Sequence, residues 1–208
     1  MFEKDYILDK LILADQIDQI IDTIKRYAKV SNFNELSKFL KSMQSQELQT
    51  FNSKVTSDKC YIDIGENVLK SIEKKFQIKV VKFPVHGLRI VCGKPENLSP
   101  WHQDEGTWSH HDYLSNKNPI TCWIPIKANK KNTLQICLDN KPIKEHFRND
   151  FKQPFAVFDH EEIKNNIIID PVPGNGYLFS AFQPHRSYNV GDAENIRISI
   201  DFRFTVLN

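Results

Sequence analysis

The chain has 208 residues, 40% of them hydrophobic and 26% charged, which suits one folded domain and argues against a largely disordered chain. Its 28 Lys and Arg residues nearly cancel its 26 Asp and Glu residues, and no basic run stands out, so neither a nucleic-acid partner nor a membrane partner is indicated. No apolar run approaches the roughly 18 residues of a membrane-spanning helix, and the N-terminus does not resemble a secretory signal.

The cysteines indicate a reducing environment. They lie far apart without a Cys-x-x-Cys pair, and three of them fall in strand-like apolar runs, so we expect buried, reduced thiols. A cytoplasmic protein is therefore expected. The chain is expected to form one domain over residues 1–208, with a helical lead-in (1–77) and a β core (78–208). The four cysteines are Cys60, Cys92, Cys122 and Cys137.

The lead-in is predicted to contain three helices. Apolar residues recur at steps of three and four over residues 7–27, which predicts an amphipathic helix of about six turns. Asn32, followed by Glu35, resembles the capping pair that opens a second helix. Residues 44–60 are polar without a clear period and are interpreted as a loop. A third helix is predicted to follow Gly65.

From residue 78 onward the sequence predicts strands. Short runs of β-branched and aromatic residues are separated by Pro, Gly and Asn, and no helical pattern lies between them. This order predicts a mainly β fold, a closed or double-sheet body with the helices packed on one sheet, and excludes a doubly wound parallel sheet. The runs are 78–83, 88–92, 120–126, 134–138, 154–158, 166–170, 177–182 and 196–206.

The last run alternates strictly between apolar and polar residues, which is typical of a strand with two different faces. An exposed sheet face would explain the polar set, and so would a polar cavity inside a jelly roll. The apolar set is predicted to pack on the N-terminal helices. The polar set consists of Arg197, Ser199, Asp201, Arg203 and Thr205.

A His-x-Asp pair, His102 and Asp104, is the first candidate for chemistry. On an extended segment both side chains leave the same side of the backbone. His185, between two strand-like runs, is the best candidate for a third ligand, and His110 and His111 are its main rivals. Two His and one carboxylate with open positions are typical of non-haem Fe(II) oxygenases, whereas closed zinc sites use four protein ligands.

Six motifs in a consistent order add to this pattern. They are Pro-Trp-His-Gln-Asp-Glu at 100–105, Thr-Cys-Trp-Ile-Pro at 121–125, Asn-Thr-Leu at 132–134, Gly-Tyr-Leu-Phe-Ser at 176–180, His-Arg-Ser at 185–187 and Arg-Ile-Ser at 197–199. With them, residues 78–206 resemble the phytanoyl-CoA dioxygenase-like family of Fe(II)/2-oxoglutarate-dependent oxygenases. The resemblance implies a double-stranded β-helix, a cupin-like jelly roll with a metal inside one end.

Carried over by position, the resemblance implies that His102, Asp104 and His185 are the catalytic Fe(II) ligands. It also implies that Arg197 binds the distal carboxylate of 2-oxoglutarate with paired hydrogen bonds, to which Ser187 adds another.

Gln103 and Trp123 match positions that line the cofactor or substrate pocket in that family. For both residues, structural packing and direct contact are equally expected.

The implied activity is hydroxylation of a C–H bond in a small molecule, with O2 consumed and succinate and CO2 released. Asp104 favours hydroxylation over halogenation, because related halogenases have a small residue there. Arg89, Arg148 and Arg186 would favour an anionic substrate if they lie near the pocket. Two alternatives stay open: a cupin-like metal enzyme (an isomerase or a cofactor-independent dioxygenase), and a non-catalytic metal- or ligand-binding sensor on the same fold.

Overall fold

The protein is built in three layers: helices, a larger antiparallel sheet and a smaller antiparallel sheet that faces it. The structure, a computed structural model, describes residues 6–82, 87–92, 98–104, 119–139, 158, 160–190 and 196–207. This arrangement is a double-stranded β-helix with helices on one sheet, and it confirms the predicted mainly β fold class.

The helical layer comprises α1 (Ala14–Ala28), α2 (Phe33–Ser42), α3 (Ser45–Thr56) and α4 (Lys59–Phe76). Asn32 caps α2 as predicted, because its side-chain oxygen accepts a hydrogen bond from the backbone N–H of Glu35 at 3.0 Å. Buried apolar residues of all four helices join one face of the larger sheet in a single hydrophobic core.

The strands of the larger sheet lie in the order β1-β7-β4-β9-β2, and β3 pairs with a separate part of β9. The smaller sheet has the order β6-β5-β8. All of these strand pairs are antiparallel. The strands are β1 (Tyr6–Leu8), β2 (Lys79–Lys82), β3 (Gly87–Val91), β4 (Pro119–Lys127), β5 (Asn132–Cys137), β6 (Asn166–Ile168), β7 (Gly176–Ser180), β8 (His185–Asn189) and β9 (Arg197–Leu207).

The interpretation of residues 44–60 as a loop is wrong, since they contain α3 and the start of α4. Leu48, Phe51 and Val55 recur at helical spacing and are buried, but the polar residues between them hide the stripe in the sequence. The predicted third helix is α4, and it starts before Gly65 rather than after it. Its N-cap is Asp58, whose carboxylate accepts from the backbone N–H of Cys60.

The predicted six-turn first helix is also wrong in its extent. Residues 6–8 form the edge strand β1, which pairs with β7, and α1 starts only at Ala14. Between them, Lys10 has a positive φ of 51° and its backbone N–H donates to the side chain of Asn175. The backbone groups of these residues therefore form hydrogen bonds with the sheet and its neighbouring residues instead of the bonds that a longer helix would need.

Strand β9 confirms the strict alternation and decides between its two explanations. Its apolar face packs into the helical core, where Ile198, Ile200 and Phe202 are completely buried. Its polar face turns toward the smaller sheet, and Arg197 and Arg203 line a pocket between the two sheets. The polar set therefore belongs to an internal cavity, and the exposed-face explanation is wrong.

Three further predictions concern single features. The run at 154–158 lies outside the described residues except for Phe158. All four cysteines are free, and Cys92, Cys122 and Cys137 are buried, as predicted. Among the described helices, none combines the length and the apolar character that a membrane-spanning helix needs.

Candidate metal centre

His102, Asp104 and His185 meet in the pocket between the sheets. The segment before His102 lies along β8, and His102 and His185 exchange backbone hydrogen bonds of 3.0 and 2.9 Å. The Nε2 atoms of the two imidazoles lie 3.8 and 3.9 Å from Oδ1 of Asp104. Among the described residues, these three are the one His, Cys, Asp and Glu group compact enough to hold a metal ion, with ligand atoms within 4.8 Å of one another.

Both imidazoles are oriented by backbone carbonyls. Nδ1 of His102 lies 2.8 Å from the carbonyl oxygen of Pro100, and Nδ1 of His185 lies 3.0 Å from that of Gln183. A carbonyl only accepts, so each Nδ1 carries a proton, and the Nε2 atom of each ring faces the centre. Burial, and then the neighbouring His185, lower the pKa of His102 to about 3, which keeps this imidazole neutral and able to bind a metal.

Asp104 is held as a charged carboxylate by two residues of the larger sheet. Its Oδ2 accepts from Oγ1 of Thr121 at 2.7 Å and from Nε of Arg203 at 3.1 Å, and its Oδ1 accepts from Nη2 of Arg203 at 3.0 Å. Burial alone would raise the pKa of Asp104, but the charge of Arg203 and its hydrogen bonds lower it well below its usual range. Two imidazoles and one carboxylate fit a divalent transition metal with open positions.

Arg197 is a buried cation without a carboxylate partner among the described residues. Its side chain is 1% exposed and donates to the backbone oxygen of Thr133 and, at 3.0 Å, to Oγ of Ser187. Burial, and then Arg89, lower the pKa of Arg197 to about 9, so the guanidinium stays charged at neutral pH.

A buried charge without a counter-ion is costly, and this one opens into the same pocket as the three candidate ligands. Among the described residues, neither its Nε nor Nε1 of Trp123, which also lines the pocket, has a hydrogen-bond partner. With these donors, the pocket is suited to an anion that accepts several hydrogen bonds.

The other predicted residues divide between the pocket and its surroundings. Gln103 is fully buried, donates to the backbone oxygen of Phe182 at 2.6 Å and does not line the pocket, which favours the packing interpretation. Arg89 lines the pocket and donates to Oγ of Ser99. Arg186 lies on the opposite face of β8, with its guanidinium 5.0 Å from the ring of Trp101.

Arg186 therefore does not bring charge to the pocket, contrary to that expectation. Arg148, His110 and His111 lie outside the described residues.

Sequence reasoning missed the roles of Arg203 and Thr121. Arg203 lies on the polar face of the last strand with Arg197, and Thr121 lies in one of the six motifs, so both carried a signal. What the sequence did not show is that they are direct partners across β4 and β9 and meet at Asp104.

The sequence matches no protein-family model and no curated protein. The fold is similar to that of EvdO2 from Micromonospora carbonacea var. aurantiaca complexed with 2-oxoglutarate, with a TM-score of 0.61 and 11% identity over 98% of this chain and 86% of that chain. The epimerase SnoN, in complex with Fe3+, alpha ketoglutarate and nogalamycin RO, has a TM-score of 0.55 and 9% identity over 97% and 78%. EctD from S. alaskensis, with 2-oxoglutarate and 5-hydroxyectoine, has a TM-score of 0.55 and 13% identity over 97% and 71%.

At these identities the similarity establishes the fold and leaves the activity of this chain to its own residues. The narrower resemblance to the phytanoyl-CoA dioxygenase-like branch stays a prediction. The chain has the double-stranded β-helix fold of iron- and 2-oxoglutarate-binding enzymes, and it has a buried His-Asp-His site inside that fold.

Proposed function

We propose that the protein is an Fe(II)- and 2-oxoglutarate-dependent dioxygenase that hydroxylates a C–H bond of a small molecule. The observation that carries this proposal is the buried Arg197, which has no carboxylate partner in the described part of the chain and shares a pocket with His102, Asp104 and His185. A metal site alone is compatible with many enzymes of this fold, whereas a metal site beside a buried guanidinium suits a dianionic chelator.

In this proposal His102, Asp104 and His185 hold Fe(II), and Arg197 binds the distal carboxylate of 2-oxoglutarate. Oγ of Ser187 accepts from Arg197, so its own proton is available for the same carboxylate. Bound together, Fe(II) and 2-oxoglutarate supply an oxidant made from O2, with succinate and CO2 released.

The polypeptide contributes position and charge. The carbonyl oxygens of Pro100 and Gln183 fix the imidazoles, and the walls exclude water, since the three candidate ligands are at most 5% exposed. The carboxylate of Asp104 fills the third ligand position and leaves no space for a halide there, which favours hydroxylation over halogenation.

The proposed substrate is a small molecule with an anionic group. Arg89 carries the charge for it, because its guanidinium lines the pocket and forms no ion pair among the described residues. SnoN and EctD bind small molecules in their structures, which supports a small-molecule partner. One domain over residues 1–208 and a cytoplasmic location belong to the same proposal.

Anaerobic absorption spectroscopy tests this function. Fe(II) followed by 2-oxoglutarate is expected to produce the weak visible charge-transfer band of an iron–2-oxo acid chelate. Arg197→Ala should raise the 2-oxoglutarate concentration that gives half of the maximal band by roughly a hundredfold. This factor corresponds to about 3 kcal/mol, because the buried carboxylate of 2-oxoglutarate would lose its charged partner. Ser187→Ala should raise it about tenfold, since it removes one hydrogen bond to a charged group.

Arg186→Ala is the matched control, because this arginine lies on the face of β8 that is turned away from the pocket and its loss should leave the band unchanged. Fe(II) binding without a band would reject the oxygenase and favour the cupin-like metal enzyme or the sensor. A band that does not depend on Arg197 would reject the role of that residue.

A further inference from the structure

The carboxylate of Asp104 has two oxygens in different surroundings. Oδ2 accepts from Thr121 and from Nε of Arg203, and both bonds have ordinary lengths, 2.7 and 3.1 Å. Oδ1 accepts from Nη2 of Arg203 and is the oxygen 3.8 and 3.9 Å from the imidazole Nε2 atoms. Two of these three donors are on Oδ2, whereas Oδ1 accepts one of them and faces the imidazoles.

This asymmetry is built into the larger sheet. Thr121 of β4 and Arg203 of β9 are direct partners in the strand register, so both reach Asp104 from the same side. The ion pair is largely shielded from water, with side-chain exposures of 17% for Arg203 and 3% for Asp104. A fork of two parallel hydrogen bonds between a guanidinium and a carboxylate sets the plane of the carboxylate as well as its position.

Carboxylates bind metals through one oxygen or through both. For Asp104 to use both, Oδ2 would have to give up its bonds to Thr121 and to Nε of Arg203, and hydrogen bonds to a charged group are stronger than those between neutral groups. The arrangement therefore favours coordination through Oδ1 alone.

We propose that Arg203 and Thr121 are positioning residues that restrict Asp104 to a single coordinating oxygen, so that the metal keeps one more open position. The inference rests on the metal site of the proposed function. Arg203 also offsets the charge of Asp104, so a bound divalent ion keeps more of its attraction for a dianion.

Water-proton relaxation with Mn(II) as the probe tests this role without turnover, because the relaxation per bound ion counts the waters on the metal. At saturating Mn(II), Arg203→Met removes the fork and leaves Oδ2 with Thr121 as its one remaining donor among those described, so we expect Oδ2 to turn to the metal and displace one water. The relaxation enhancement should fall by about one third, which is one of the three positions left open by a facial triad on an octahedral ion. Thr121→Val removes one of the two Oδ2 donors and should lower the relaxation in the same direction, by less.

Arg203→Lys provides a second test of the same role if Arg203→Met does not fold. It keeps a positive charge beside Asp104 but cannot form the fork, so we expect it to lose a water as Arg203→Met does. Arg26→Met is the matched control, since it breaks an exposed arginine–aspartate pair, with Asp58 at 2.6 Å, away from the site.

Unchanged relaxation in both folded Arg203 variants at full Mn(II) occupancy would overturn the proposal, and so would wild-type behaviour of Arg203→Lys alone. Failure of the wild-type protein to bind Mn(II) and Fe(II) would instead reject the metal site and the proposed function. The two failures are distinct because the second is observed on the unaltered protein.

Discussion

His102 is a buried imidazole that the fold keeps neutral. Burial, and then His185, lower its pKa to about 3, from a usual value near 6.5 in an unfolded chain. Between these two values the unfolded chain binds a proton that the folded, metal-free protein does not. The free energy of unfolding contributed by this residue is therefore complete above about pH 6.5 and is lost as the pH falls toward the lower value.

We accordingly expect the Tm of the metal-free protein to fall as the pH is lowered from about 6.5 toward the pKa of buried His102. His102→Gln, which does not titrate there, should show a shallower dependence. Differential scanning calorimetry of both proteins over this window, with a chelator present, makes the comparison. Equal slopes for the two proteins would contradict the inference that His102 is held neutral by burial.

The contact between α4 and β9 shows how the helical layer is attached to the sheet. A Cβ added at Gly65, in the middle of α4, would lie 2.7 Å from Cε1 of Phe202, which is completely buried on the apolar face of β9. Glycine inside a helix costs about 1 kcal/mol relative to alanine, so its presence here has a packing reason. The helix backbone approaches the ring where no side chain fits.

Gly65→Val is expected to lower the free energy of unfolding by about 2 kcal/mol, within the range for an overpacked core. Phe202→Leu should destabilise the protein on its own by loss of ring contacts, but it should also relieve part of the cost of Gly65→Val. Urea denaturation of the four proteins in a double-mutant cycle measures this coupling. Strictly additive losses would show that the two residues do not compete for the same space.

At the scale of the whole molecule, the candidate metal centre joins the two sheets. His185 belongs to the smaller sheet and His102 pairs with it, whereas Asp104 is held by Thr121 and Arg203 of the larger sheet. A ligand that binds only the folded protein stabilises it by mass action. A bound metal should therefore stabilise both sheets in one transition.

At a Mn(II) concentration about 100 times the Kd, we expect a gain of about 2.7 kcal/mol and a rise in Tm of roughly 5–10 °C. His185→Ala should abolish the rise, and the exposed-site variant Arg26→Met should keep it. Thermal unfolding with Mn(II) and with a chelator provides the measurement. A rise of the same size in His185→Ala would place the metal elsewhere.

Much of the architecture was readable from the sequence because it is local. The period of two in β9 follows from neighbouring residues on one strand, and the spacing of His102 and Asp104 follows from extended backbone geometry. The helix α3 was missed because three buried residues, among polar neighbours, form too weak a pattern without the sheet that they cover. The stability of α3 comes from its packing on the rest of the fold, as it does for most short helices.

By itself, the sequence determined the change from helices to strands, the polar face of the last strand and the three candidate ligands. Only the tertiary structure decided the partners of the arginines: Arg197 donates to Thr133 and Ser187 beside the candidate ligands, Arg203 pairs with Asp104, and Arg186 faces away from the pocket. The physical reason is distance along the chain. Arg203 and Asp104 are 99 residues apart, and a hydrogen bond between them depends on the register of strands that no local pattern encodes.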